Sequence, residues 1–325
     1  PDPAGGDDAA RCDGVLAVRL MRVGVIRNPQ SHANRREGEV AAPRSDMLFA
    51  QPEAPGDVAA EVMAFAQAGC ELVVIDGGDG TVRQVLSALP AAFGNRPPLL
   101  SVVASGKTNI LAFDLGVRGS WTLEAALAAF DEPDSRIRLR SPLQVARNGG
   151  SEPPLMGFVF GCAGLVRQEA LASGLHRAHV FQNLSVALTL AGAVGQAVAG
   201  GDDNPWRRGE QVTLSVDDAP PRSGPRLLSM ATTLQRLPFR MRPFGPPRHG
   251  LKFFDADAPP RHLARAVPRV LWGSGEGWLN KNGYRRGDAH TLRFQMEGSM
   301  FLDGEVYPGG DLTVTEGPRL RFLTP

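Results

Sequence analysis

The segment Asp76-Gly77-Gly78-Asp79-Gly80-Thr81 constrains this chain more than any other. It follows the apolar run ELVVI and opens a helical stretch, TVRQVLSAL (81–89). Three glycines between a strand and a helix let backbone N–H groups turn inward and approach a ligand closely. The helix that follows points its positive N-terminus at the same spot, which makes the turn an anion site. Asp79, inside the turn, repels a phosphate unless a cation lies between them. Its natural companion is a Mg²⁺ that also touches phosphate oxygens. A tight strand–helix turn alone accounts for one or two glycines, but not for Gly-Gly-Asp-Gly. Glycine turn, helix start and one acid together predict a nucleotide–Mg²⁺ site at the C-terminal end of parallel strands.

The flanking sequence supplies such a sheet. MRVGVIRN (21–28) is an apolar run ending at Asn-Pro, the pattern of a buried strand meeting a turn. DVAAEVMAFAQAG (57–69) reads as a helix with Asp57 as cap and Gly69 as stop. LLSVVA (99–104) reads as a strand, NILAFDLG (109–116) as the start of a helix, and WTLEAALAAF (121–130) as an amphipathic helix. Strand and helix thus alternate over 21–134, which predicts an α/β nucleotide-binding domain with a parallel sheet. After about residue 135 short apolar runs separated by Gly and Pro take over, among them EQVTLSVDD, GLKFFDAD and AHTLRFQMEGS. They predict a mostly antiparallel, β-sandwich-like domain over 135–300.

The chain has 325 residues, room for one large domain or two. A net charge of +1 gives no global field to recruit nucleic acid. Cys12, Cys70 and Cys162 form neither a disulfide framework nor a metal pattern, which fits a reducing compartment and predicts a cytoplasmic protein. Residues 1–20 are polar and acidic without an apolar core; they are expected to be a disordered leader, not a signal peptide. LSVALTLAGAVGQAVAG (184–200) is too short and too rich in Gly and Ala for a spanning helix and is expected to be a buried one.

Gly106-Lys107-Thr108 ends like a P-loop, but Ser101 stands where that motif needs its first glycine. A cation at a helix start is unfavourable without an anion nearby, so Lys107 points to phosphate contact.

With these motifs in order the chain resembles the diacylglycerol/sphingosine kinase superfamily, to which NAD kinases also belong. Asn28-Pro29-Gln30-Ser31 is similar to that family's first phosphate loop, and Gly77–Thr81 to its second. Gly106-Lys107-Thr108-Asn109 is similar to its third, and Leu302-Asp303-Gly304-Glu305 to its terminal motif. The resemblance to the bacterial soluble lipid kinases implies an ATP-dependent phosphotransferase acting on a lipid hydroxyl such as that of diacylglycerol. It implies nucleotide contacts from Asn28, Pro29, Ser31, Gly77, Gly78, Asp79, Gly80, Thr81, Gly106, Lys107, Thr108, Asn109 and Glu305. It also implies Mg²⁺ at Asp79, Asp303 as the base, and residues 301–325 returning toward the first domain. Peripheral contact with the inner membrane and a homodimer are further expectations.

The chain departs from the family at several positions. Arg83-Gln84 replaces an Asn-Glu pair in the helix after the second loop, Ile110 replaces an Asp, and His32 replaces a Gly. PFGPPRHGLKFF lacks the acids of a structural-metal loop. These changes remove carboxylates around the metal and keep two alternatives open: an NAD kinase-like or other small-molecule kinase, and a catalytically silent nucleotide-binding regulator. In the second domain, Phe239, Phe244, Phe253, Phe254 and Trp272 with Phe181, Leu184 and Leu188 suit an apolar slot or a core equally. Arg236, Arg240, Arg242, Arg248, Arg261, Arg265 and Arg269 suit either an anionic membrane surface or a solvated face.

Overall fold

The computed structural model describes residues 22–31, 33–34, 45–54, 56–106, 109–132, 136–163 and 205–325. The leader, the 184–200 segment, Lys107, Thr108, His32, Phe181, Leu184 and Leu188 lie outside them.

Two sheets organise the chain. The first has six strands in the order β2-β1-β3-β4-β15-β5. These are β1 (Val23–Arg27), β2 (Met47–Ala50), β3 (Leu72–Gly77), β4 (Leu99–Ala104), β15 (Leu320–Thr324) and β5 (Arg136–Arg140). All neighbours run parallel except β5, which pairs antiparallel with β15. Strands β1 and β3 are buried at every position, the pattern of a parallel sheet covered on both faces. The helices are α1 (Asp57–Gln67), α2 (Asp79–Phe93), α3 (Ile110–Leu115) and α4 (Leu123–Phe130). They supply Val62, Phe65, Leu86, Leu111 and Leu127 to one core with Ile26, Val74 and Leu100. Helix α4 is capped at its start by Thr122, whose hydroxyl accepts the Ala125 N–H at 3.3 Å.

The second sheet holds β6 (Leu143–Arg147), β7 (Leu155–Gly157), β8 (Val159–Ala163), β9 (Glu210–Val216), β10 (Arg222–Thr232), β11 (Leu251–Asp257), β12 (Tyr284–Ala289), β13 (Thr291–Leu302) and β14 (Glu305–Glu316). Its pairings are antiparallel. Two of the three long strands bend: β10 and β13 each pair with β9 at one end and with β8 at the other. Both carry register shifts, at Arg226/Leu228 and Met296/Ser299, where a bulge lets a strand turn. The folded sheet encloses Phe160, Leu214, Leu292, Phe294, Leu312 and Val314, with Phe160 and Phe294 rings 4.8 Å apart. Helices α5 (Leu263–Leu271) and α6 (Glu276–Lys281) close a third cluster around Phe244, Phe254 and Tyr284.

Strand β5 stays in the first sheet, so the chain crosses between Arg140 and Leu143, a little beyond the expected division at 134/135. The β13–β14 hairpin remains part of the second sheet, and only β15 returns to the first. The alternating run RIRLR suits either sheet by its sequence; its antiparallel pairing with β15 decides it, and leaves Ile137 and Leu139 exposed while Arg140 is buried.

The two sheets meet at α2 and α3. The Met156 N–H donates to Ser87 Oγ on α2 at 3.0 Å. Asp114 on α3 is 0% exposed and ion-paired with Arg140. Its Oδ1 also accepts the N–H groups of Gln235 (3.2 Å) and Arg236 (2.7 Å) from the segment after β10. A fully buried carboxylate so partnered ties three parts of the chain together, and stripping its partners would leave a desolvated charge.

Candidate active site

The glycine turn forms as its sequence predicts. β3 runs into Gly77, and α2 starts at Asp79 behind Gly78, with no side chain capping its first turn. Those uncapped N–H groups and the helix dipole are available to an anion. The first loop is fastened to this turn. Asn28 donates its amide to Thr81 Oγ1 at 3.0 Å, and its own N–H donates to the Asp76 carbonyl at 2.9 Å. Its side-chain oxygen accepts the Gln30 N–H at 2.9 Å, and its carbonyl accepts the Ser31 N–H at 3.1 Å. Pro29 is exposed at the tip of this loop and Ser31 is buried. Asn34 braces the floor, donating to the Asn28 carbonyl at 3.0 Å and to Asp76 Oδ1 at 3.1 Å. Ser105 donates to the same Asp76 oxygen.

The third loop closes on the second. A Cβ on Gly106 would stand 2.3 Å from Gly78 Cα, so both backbones come closer than any side chain permits. Asn109 holds the loop in shape from a left-handed backbone (φ 49°), donating to the Gly106 carbonyl at 2.7 Å and accepting its N–H at 3.1 Å.

Asp79 carries a structural duty that sequence alone did not show. Its Oδ1 accepts the Ile110 N–H at 2.9 Å, which caps α3 from the neighbouring loop. Burial pushes its pKa upward, and the N–H groups of Ile110, Leu111 and Asn109 pull it back.

From the second sheet, the tight hairpin between β13 and β14 brings Asp303 and Glu305 to this spot. Asp303 (φ 46°) and Gly304 (φ 93°) are both left-handed, as a two-residue type I′ turn requires, and Leu302 pairs with Glu305. The Asp303 carboxyl faces inward, accepting the N–H groups of Phe158 (Oδ2) and Val159 (Oδ1), each at 2.8 Å. Gly157 leaves room for it. Burial, then the charge of Asp79, raises its pKa to about 7, against the two N–H bonds and the Arg83 guanidinium, which lower it. A carboxylate that titrates near neutrality suits proton transfer at physiological pH.

Glu305 lies over the start of α2, its Oε1 3.6 Å from where a Gly80 Cβ would be. It is ion-paired with Arg83 and accepts the Tyr307 hydroxyl at 2.9 Å. Arg83, 5% exposed, also stacks its guanidinium 5.4 Å from the Tyr307 ring centre. Arg83 is therefore the counter-charge that fastens the Asp303 hairpin to the helix behind the glycine turn. Tyr307 was missed in the sequence, although two residues beyond Glu305 on one strand is the same face. The Arg83–Glu305 pair joins positions too distant in sequence for any local pattern to reveal.

A divalent cation fits here with few protein ligands. Among the described residues no three Asp, Glu, His or Cys side chains gather as a metal cage. Arg83 offsets the charge of Glu305 and shares its Oε2 with the Tyr307 hydroxyl, while Oε1 keeps acceptor capacity. Asp79 and Asp303 repel each other, and a carboxylate keeps spare acceptor capacity beyond one N–H bond. Mg²⁺ characteristically uses one or two carboxylates together with substrate phosphates and water. The residues thus suit a cation at Asp79 shared with a nucleotide.

Residues 22–139 match the diacylglycerol kinase catalytic domain family. Across nearly the whole chain the fold is that of solved bacterial structures. One, a provisionally assigned diacylglycerol kinase from Bacillus anthracis str. Sterne, is 16% identical, with a TM-score of 0.67 over 94% of this chain and 97% of its own. A diacylglycerol kinase from the same strain is 14% identical, with a TM-score of 0.61 over the same shares. No curated protein matches the sequence. Residues 22–139 are thus similar to a diacylglycerol kinase catalytic domain, and the chain as a whole shares the fold of those structures: an α/β domain joined to an antiparallel β-rich domain. A domain of that type implies a nucleotide substrate.

Proposed function

We propose that the protein is an ATP-dependent lipid kinase that transfers the γ-phosphate to a hydroxyl of a diacylglycerol-type acceptor. One observation carries this reading. The last hairpin of the β-rich domain sets a carboxyl with a pKa near 7 beside the glycine turn of the other domain.

The chemistry follows from that juxtaposition. The N–H groups at the start of α2 and the turns at 28–31 and 106–109 receive the phosphates. Asp303 takes the proton from the acceptor hydroxyl as its oxygen bonds to the γ-phosphorus; the bond to the β-phosphate oxygen breaks and ADP leaves. The proton on Asp303 then passes to solvent. Mg²⁺ shared between Asp79 and the phosphates would neutralise charge on the leaving group. Arg83 holds Glu305 and lends positive potential where Asp303 must ionise. A second reading, a nucleotide-binding regulator without turnover, is favoured by the ion pair that sets Arg83 against the charge of Glu305.

The test is transfer of labelled γ-phosphate from Mg²⁺-ATP to extracted bacterial lipids and to a soluble fraction, beside Asp303→Asn. Label in a lipid, reduced about 10²–10⁴-fold in the variant with ATP still bound, supports the reading. Label confined to soluble products moves the acceptor to a small molecule. Retained turnover in the variant removes Asp303 as base, and bound ATP without any transfer favours the regulator.

A further inference from the structure

We propose that the loop after β10, together with α5 and Trp272, is a docking face for an anionic lipid bilayer.

The face is assembled from two stretches without a single Asp or Glu. Residues 233–254 carry Arg236, Arg240, Arg242 and Arg248, and residues 258–275 carry Arg261, Arg265 and Arg269. The fold brings them side by side. The Arg242 N–H donates to the Leu271 carbonyl at 2.7 Å, and a Cβ on Gly273 would touch Arg242 at 3.0 Å. Beneath them, Leu237 and Phe244 of the loop share one apolar cluster with Leu263, Ala266 and Val270 of α5.

That cluster uses the inner side of α5 and leaves the arginines outside. Arg236, Arg240, Arg242, Arg261 and Arg265 are exposed. Arg236, Arg240, Arg242 and Arg261 make no side-chain ion pair among the described residues. Arg248 is excluded, being paired with Asp288, and Arg265 and Arg269 lie over the Trp278 ring.

Two aromatic side chains project from the same ground. Trp272 is 69% exposed and Phe239 is 56% exposed, the two most exposed large apolar residues described. Phe239 and Arg240 both hold left-handed backbones (φ 56° and 58°), which no glycine relieves. Consecutive strain of this kind persists only where surrounding structure enforces it, and it clusters at functional segments. Its result here is an aromatic ring and a guanidinium turned outward together.

Exposed aromatics set among unpaired arginines match the headgroup region of a membrane, where rings sit at the interface and cations meet anionic lipid. An acidic soluble partner satisfies the arginines but not the rings. No helix among the described residues is long and apolar enough to cross a membrane. The base of the loop is gripped by Asp114 on α3, the helix that Asp79 caps. A docked loop is therefore fastened to the element beside the nucleotide turn. The inference draws its motive from the lipid-kinase reading, but its evidence is this surface alone.

The test uses the intact protein without ATP, so its outcome is independent of turnover. Binding is measured by sedimentation with vesicles of phosphatidylcholine alone and with about 30% phosphatidylglycerol added. Preferential binding to the anionic vesicles is expected, weakened by salt. The double variants Phe239→Ser/Trp272→Ser and Arg240→Gln/Arg242→Gln should each lose roughly tenfold or more in affinity. Tryptophan emission of the unmodified protein should shift to the blue on binding, a readout that does not depend on any variant folding. Equal binding to both vesicles, no emission shift, or unchanged affinity in folded variants overturns the proposal. So does binding to soluble polyglutamate as tight as to vesicles, which would assign the face to an acidic protein. Phosphate transfer to detergent-dispersed lipid, run separately, judges the kinase reading by itself.

Discussion

Gly157→Ala moves Asp303 without altering its charge. Gly157 ends β7 directly beneath the hairpin. A Cβ there would stand 2.7 Å from Asp303 Oδ2 and 2.7 Å from Leu302 Cδ1, where ordinary contact starts at 3.4 Å. The carboxyl and Leu302 must each retreat by about 0.7 Å in a close-packed interior. Leu302 is fully buried, so the displacement passes to the hairpin as a whole. Misplacement of a reacting group by about 1 Å costs on the order of 10²-fold, so kcat should fall about 10–100-fold. Overpacking should cost about 1–3 kcal/mol of stability, leaving a folded protein with a lower Tm. Nucleotide affinity should change less than about twofold, because the phosphate turns belong to the other sheet. Lipid phosphorylation at saturating ATP, with ATP binding by calorimetry, separates these effects. Gly119→Ala is the control, since a Cβ there meets nothing within 4 Å. Full kcat in a folded Gly157→Ala protein would refute the claim that catalysis depends on where Asp303 is held.

Activity should rise as pH passes through about 7, because Asp303 must be ionised to accept a proton; a flat kcat profile from pH 5 to 8 would contradict this. The same raised pKa means that the folded state holds a proton the unfolded chain has released, so this group's contribution to stability declines as pH climbs from about 4 to 7. Arg83→Gln removes a charge that lowers the Asp303 pKa and frees Glu305; kcat should drop and its pH midpoint move upward, while Arg83→Lys restores part of both. Gly106→Ala places a Cβ 2.3 Å from Gly78 Cα and should weaken ATP binding roughly tenfold or more, read by titration calorimetry. Asp114→Asn breaks the buried pair with Arg140 and should destabilise by about 3–5 kcal/mol in urea unfolding.

The first domain was legible wherever local chemistry decides structure. The run LVVI ending in Gly77-Gly78 reads as a buried strand and its turn, and the helix follows, although α2 begins at Asp79, two residues before the expected Thr81, and takes Gly80 into its first turn. Asp303-Gly304 is likewise a residue pair that suits a two-residue hairpin turn, and the structure forms one there. What escaped were pairings across the chain. Nothing in RIRLR says that it lies beside RLRFL rather than beside LQVAR. Arg83 read as a lost carboxylate position, and only the fold reveals Glu305 as its partner. The N–H groups that orient Asp303 belong to Phe158 and Val159, and backbone donors have no signature in a sequence. Asp79 was read as a metal ligand, yet its contact with Ile110 also holds the third loop in place.

The position of β15 bears on how the protein is made. It lies between β4 and β5, so the central sheet of the nucleotide domain has a gap until Leu320–Thr324 arrives. During synthesis the first domain emerges early but stays unfinished, with the edges of β4 and β5 open, while the entire second domain is translated. The same late strand follows directly from the hairpin that bears Asp303 and Glu305. The strand that completes the first sheet is thus made after the hairpin, so a polypeptide halted between Glu316 and Leu320 carries Asp303 and Glu305 on a second sheet whose strands are all present, beside a first sheet still open between β4 and β5.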